Sequence, residues 1–148
     1  MKLNDFINKN LNKKIDYDKV FGSQCVDVFR QYCEDVLNIP HTGSVEGAKD
    51  LYLNYEKLPL EQKYFKKLSC SKLKYGDVVI WNKTATNEYG HIAIFIGHIS
   101  DDEILVIEQN GFNQQGLKFE IKSLRNNLGI LRFKGVVSWV LKISQLVK

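Results

Sequence analysis

The sequence predicts an α+β fold, with N-terminal helices packed on a mostly antiparallel β-sheet. Three observations carry this expectation. Apolar residues up to about position 65 recur at helical spacing. From Leu73 onward they gather into short strand-like runs, separated by turns rich in Gly, Asn and Asp. Helices first and strands afterwards is the order of an α+β chain; an alternating chain would build a parallel sheet.

Leu3, Phe6, Ile7 and Leu11 share one helical face, so residues 3–11 are expected to form a short amphipathic helix. Residues 14–22 read as a loop with paired acids. A second helix is expected from about Gln24 to Leu37, with Val26, Phe29, Cys33 and Val36 as its apolar stripe. It stops at Asn38-Ile39-Pro40, because the residue before proline avoids helical angles. Thr42-Gly43-Ser44 is a turn and a helix start. Ala48, Leu51, Tyr52 and Tyr55 mark a third helix, and the Leu58–Phe65 stretch adds a helical turn after Pro59. Strands are expected at 77–81, 91–97, 104–108, 117–121, 130–133 and 136–141.

Length and composition suit one domain with a sizeable core: 148 residues, 44% hydrophobic, 26% charged. The net charge of +4 has two readings, a solvated basic surface or attraction to an anionic polymer. No dense Lys/Arg block with interleaved aromatics speaks for nucleic acid. No run approaches the roughly 20 apolar residues of a membrane span, so no membrane insertion is expected. Met1–Ile7 lacks the apolar core and cleavage site of a secretory signal, so synthesis in a cytoplasm is expected. Three cysteines without a Cys-x-x-Cys pair argue against a disulfide framework or zinc knuckle. Cys33 reads as a small buried apolar side chain, Cys70 as incidental.

The chemistry centres on Phe21-Gly22-Ser23-Gln24-Cys25-Val26-Asp27-Val28-Phe29, a glycine-containing turn running into a helix with a thiol at the junction. Unpaired backbone N–H groups and the helix dipole stabilise negative charge there. The same groups can receive the oxyanion of an acyl-transfer intermediate. A nucleophile also needs a base, and the base an orienter. Tyr89-Gly90-His91-Ile92-Ala93 puts His91 at the mouth of an apolar strand. Ile107-Glu108-Gln109-Asn110-Gly111 ends another strand with a carboxylate and an amide two residues apart, on one face. Cys25 and His91 are 66 positions apart, so only tertiary structure can join them. His41 and His98 read as turn or surface residues, and Asp77 as a turn former. Trp81 is either core or groove wall.

These stretches, with Lys74-Tyr75-Gly76-Asp77-Val78-Val79-Ile80-Trp81, resemble the CHAP domains in order, spacing and motif over roughly residues 12–141. CHAP domains are cysteine peptidoglycan hydrolases of papain-like fold, related to the NlpC/P60 enzymes. The resemblance implies Cys25 as nucleophile, His91 as base, Glu108 as its orienter and Asn110 as an accessory polar group. The implied substrate is peptidoglycan, cut as an endopeptidase or as an N-acetylmuramoyl-L-alanine amidase. A phage lysin released through a holin-made pore, or a part of a phage particle, fits a cytoplasmic product with a wall substrate. The expectation is a monomeric single domain over 1–148; the seven residues after Leu141 are too few for a wall-binding module. Anionic wall polymers are a further partner expected from the charge. Two other readings stand beside hydrolysis: a non-catalytic wall-docking module, and a papain-like acyltransferase or deamidase acting on protein.

Asp16, Asp18 and Asp27 occupy positions 1, 3 and 12 of a twelve-residue window, the side-chain spacing of an EF-hand calcium loop. The EF-hand pattern is broken, since Phe21 stands where glycine belongs and the last position is Asp. The plain reading is a solvated acidic loop. The resemblance implies one structural calcium, held by Asp16, Asp18 and Asp27 with the carbonyls of Val20 and Gly22.

Overall fold

A computed structural model of the chain describes residues 1–17, 25–109 and 116–137. Helix α1 spans Leu3–Asn10 and buries Leu3, Phe6 and Ile7. Leu11, expected to extend it, instead makes a parallel bridge with Leu117, and Asn12 turns the chain with a positive φ of 64°. Helix α2 spans Cys25–Tyr32 and runs on as a wider π turn over Cys33–Leu37. Asn38 closes it at φ 54°, in the left-handed region that asparagine tolerates. The third apolar stripe resolves into α3, Asp50–Leu53, and a single 3-10 turn at Tyr55–Lys57. Helix α4 is Pro59–Tyr64, with proline in its first turn.

The six strands are β1 Phe65–Leu68, β2 Val78–Trp81, β3 His91–His98, β4 Glu103–Glu108, β5 Lys118–Ser123 and β6 Asn127–Phe133. They form one sheet in the order β1-β6-β2-β3-β4-β5. Every strand pair in it is antiparallel. Strand β1 was not expected: the helix read through Phe65 ends one residue earlier, and the chain pairs at once with β6, Phe65 facing Phe133. The strand expected at 136–141 is absent from residues 136–137, and 138–141 lie outside the described residues.

The sheet cannot be flat. Strands β5 and β6 are joined only by Leu124–Asn126, yet β2, β3 and β4 lie between them in hydrogen-bonding order. Four strand spacings in a flat sheet would span roughly 19 Å. The connection reaches at most about 14 Å, so the sheet curls on itself. The Trp81 indole N–H, on β2, donates to the Ser123 carbonyl on β5 at 2.9 Å and ties the curl.

Strand alternation then makes two cores. Val78, Ile80, Ile92, Ile94, Ile107 and Leu131 face the helices and pack with Phe6, Phe29 and Tyr32. Val79, Trp81, Ala93, Phe95, Ile104, Val106 and Ile130 fill the inside of the curl. Cys33 is buried in the first core, as expected, and burial pushes its thiol well up. Burial also raises Cys70, to about 11.

Asp77 does more than shape a turn. It is buried and accepts the Lys74 backbone N–H at 2.7 Å. It also takes both arms of Arg132 on β6, Nε at 2.9 Å and Nη2 at 2.7 Å. This fork fixes the start of β2 against β6, and so the strand on which Trp81 stands.

Candidate active site

Each of the three site residues sits at the boundary of an element. Cys25 is the first residue of α2, His91 the first of β3 and Glu108 the last of β4. Val106 faces Phe95 across β3 and β4. Continuing that register puts Glu108 opposite Ala93, with His91 two residues along on the same face. Such diagonal pairs are within reach of long side chains, and His91 Nε2 lies 3.1 Å from Glu108 Oε1.

The Cys25 side chain lies near enough to the imidazole to raise its pKa. With Nε2 occupied by Glu108, Nδ1 is the ring nitrogen that remains for the sulfur. Helix α2 packs against β3, which brings the thiol at the helix start over the strand mouth. Cys25 is half-buried, so it is neither sealed in the core nor fully in solvent. Trp81, paired with His91 in register, stacks its indole beside the ring at 5.7 Å between centroids.

The electrostatics favour a charged imidazole. Burial of the ring opposes its protonation, but the hydrogen bonds and attraction of Cys25 and Glu108 outweigh it and raise the pKa to about 9. Glu108 has only 3% of its side chain exposed. Burial pushes its carboxyl up, yet the His91 hydrogen bond and charge, with Lys122 and Lys118 nearby, hold it below its ordinary value.

Two residues around this trio escaped the sequence reading. Lys122, on edge strand β5, places Nζ 3.5 Å from Glu108 Oε1. Nothing in an alternating Lys-Phe-Glu-Ile-Lys run marks one lysine for the site. Gln109 follows Glu108 and is fully buried. Its side-chain amide clasps the backbone of Ile15 on both sides: Oε1 accepts the N–H at 2.7 Å and Nε2 donates to the C=O at 2.6 Å. The end of β4 thereby holds the segment leading into the Cys25 loop. Its position between Glu108 and Asn110 was the available signal.

Of the residues expected to hold calcium, Asp16 and Asp27 are described. Asp16 Oδ1 is buried and has no hydrogen-bond partner among the described residues. Asp27 is 1% exposed, and its Oδ1 accepts from Arg30 Nη1 at 3.2 Å. Asp18, Val20 and Gly22, like Gln24 and Asn110, lie outside the described residues. His98 is exposed, as expected. His41 is half-buried and meets the Tyr17 ring edge-on at 4.6 Å. Among the described residues no helix is long and apolar enough to cross a membrane.

Comparison with known proteins gives a consistent picture. The CHAP domain family model matches residues 13–110. The endolysin PlyTW of Staphylococcus phage Twort is 30% identical over 137 residues, covering 86% of this chain. The chain spans only 28% of that relative's length. Among solved structures, the endolysin LysIME-EF1 matches with a TM-score of 0.66 at 23% identity, over 89% of this chain and 64% of its own. Ly7917 matches with a TM-score of 0.54 at 16% identity, over 74% of this chain and 53% of its own. The likeness to these structures is one of fold, and it bears out the α+β, papain-like architecture.

Proposed function

The chain belongs to the CHAP domain family, and from that premise we propose that it hydrolyses an amide bond of peptidoglycan. Cys25 is the nucleophile in this reading, His91 the base and Glu108 its orienter. The observation that carries it is the buried Glu108 carboxylate 3.1 Å from the His91 ring, with the half-buried Cys25 thiol near enough to that ring to raise its pKa. A binding module needs no such trio.

The proton of the Cys25 thiol passes to His91, and Glu108 stabilises the imidazolium that forms. The sulfur attacks the carbonyl carbon, a C–S bond forms, and the carbonyl oxygen takes the electron pair. In this reading the backbone N–H of Cys25, at the start of α2, receives that oxyanion. Collapse breaks the C–N bond, and His91 gives its proton to the leaving amine. Water then attacks the thioester while neutral His91 takes its proton. The acid leaves, and the thiol is restored.

Cys25→Ser should abolish turbidity clearing of susceptible walls without changing the circular dichroism spectrum. Full clearing by that variant refutes the assignment. Mass spectrometry of the digest decides the bond: a new amino terminus inside the peptide marks an endopeptidase, and separated glycan and stem an amidase.

A calcium ion fits the acidic loop to this extent: Asp16 offers a buried carboxylate oxygen that no described residue satisfies, and carboxylate and carbonyl oxygens are the ligands calcium takes. Asp16, Asp18 and Asp27 would hold it with the carbonyls of Val20 and Gly22, Arg30 orienting Asp27. Bound there, the ion supplies rigidity to the loop ahead of Cys25. Action at the cell wall, after phage-directed release or on a phage particle, completes the reading. The net charge of +4 favours anionic wall polymers as a secondary contact.

A further inference from the structure

A groove of about 630 Å³ opens beside His91, on the side of the β5–β6 turn. Its lining joins His91, Trp81 and Gly90 with Ile121, Lys122 and Arg125. No Asp or Glu is among its lining residues. Amides and hydroxyls from the β2–β3 loop and from the turn supply the rest.

The rim is preformed. Asn126 donates from Nδ2 to the carbonyls of Asn82 and Lys83 at 3.2 and 3.1 Å, and accepts the Asn82 N–H on its own carbonyl at 2.9 Å. Asn87 Nδ2 donates to the Gly90 carbonyl at 2.9 Å, just ahead of His91. Gly90 is itself required there: its φ is 76°, and a Cβ would come within 2.5 Å of the Trp81 carbonyl oxygen.

Into this rigid, acid-free groove project two cations. Arg125 is exposed, and its guanidinium has no hydrogen-bond or ion-pair partner among the described residues. Lys122 is committed only loosely, 3.5 Å from a carboxylate that already serves His91. We infer that the groove is the subsite for a carboxylate of the peptidoglycan stem peptide, held by Arg125 with help from Lys122. A planar guanidinium suits a carboxylate bidentately. The polar amide lining suits a peptide backbone, and Trp81 and Ile121 add apolar surface for small side chains. This rests on the hydrolase reading above and names what lies next to the scissile bond. The stem offers two such groups, the α-carboxylate of a γ-linked glutamyl residue and the C-terminal carboxylate.

The test is calorimetric titration of the Cys25→Ala chain with the synthetic peptide L-Ala-γ-D-Glu-L-Lys-D-Ala-D-Ala and two analogues, each with one carboxylate amidated. Arg125→Ala in the same background should weaken binding of the free peptide about tenfold. One of the two amidations should cost the parent the same factor and cost the Arg125→Ala chain nothing more, which identifies the carboxylate read. Equal affinity for all three peptides overturns the inference. So does unchanged binding by Arg125→Ala, or the absence of saturable binding. Wall clearing by the wild-type chain is scored in parallel. Clearing alongside an indifferent Arg125 sinks only the groove assignment, whereas no clearing sinks the hydrolase reading.

Discussion

Replacing Glu108 by glutamine isolates the charge behind His91. The change keeps shape and volume, and the carboxamide oxygen can still accept from Nε2. What disappears is a negative charge, with 3% of its side chain exposed, 3.1 Å from the ring. A hydrogen bond to a charged partner contributes about 1.5–3 kcal/mol. At about 1.36 kcal/mol per pKa unit, the His91 pKa should fall from about 9 to roughly 7–8. The same energy withdrawn from an imidazolium-like transition state slows turnover roughly 10- to 100-fold. The assay is the initial rate of wall clearing across about pH 6 to 10 at fixed ionic strength, with the variant's alkaline limb expected one to two units lower. Stability should follow. His91 has a raised folded pKa, so its contribution is fully present below about 6.5 and is lost as pH rises through about 9. Glu108 is lowered, so its contribution is present above about 4.5 and is lost as pH falls through its depressed value. Melting temperature should therefore fall in wild type as pH climbs from about 6.5 to about 9, and in Glu108→Gln the fall should be smaller and level off one to two units earlier. An unmoved alkaline limb with undiminished rate would show that this carboxylate does not govern the imidazole.

Three further predictions concern the frame around the trio. Asp77→Ala removes the carboxylate shared by Arg132 and the Lys74 N–H, at a cost of about 2–4 kcal/mol, or roughly 5–15 °C in melting temperature; a shift under 2 °C contradicts the role given to the fork. Gln109→Ala leaves both polar backbone groups of Ile15 without their partner, so calorimetry should register a loss of about 2–5 kcal/mol, with activity falling beyond what unfolding explains; unchanged melting excludes the clasp as a support. If calcium sits in the acidic loop, chelation should lower the wild-type melting temperature, and Asp16→Ala should melt lower and ignore chelator; a wild type indifferent to chelator removes the ion.

The trio was legible because each member marks the edge of an element, and edges carry local signals. A glycine turn precedes Cys25, Gly90 precedes His91, and Glu108 ends an apolar run. Strands β2, β3 and β4 were legible as apolar runs bounded by turn residues. Strand β1 was not. Its Phe-Lys-Lys-Leu sequence is an edge strand only because β6 lies beside it, and no local pattern carries that pairing. The third helix came out shorter because its tyrosines serve the sheet: Tyr52 and Tyr55 donate their hydroxyls to the carbonyls of Leu68 and Phe65. Lys122 reaches Glu108 from a neighbouring strand, which a one-dimensional reading cannot measure.

The clasp of Gln109 on Ile15 joins positions 94 residues apart. Contacts of that separation form late, after the loops between them have closed. A ribosome that has released only the first half of this chain has therefore made the sulfur but not the anchorage that aims it. On the proposed hydrolase reading, wall clearing becomes a stringent reporter of completed folding, and a screen for clearing zones would double as a screen for chains that have reached their native topology.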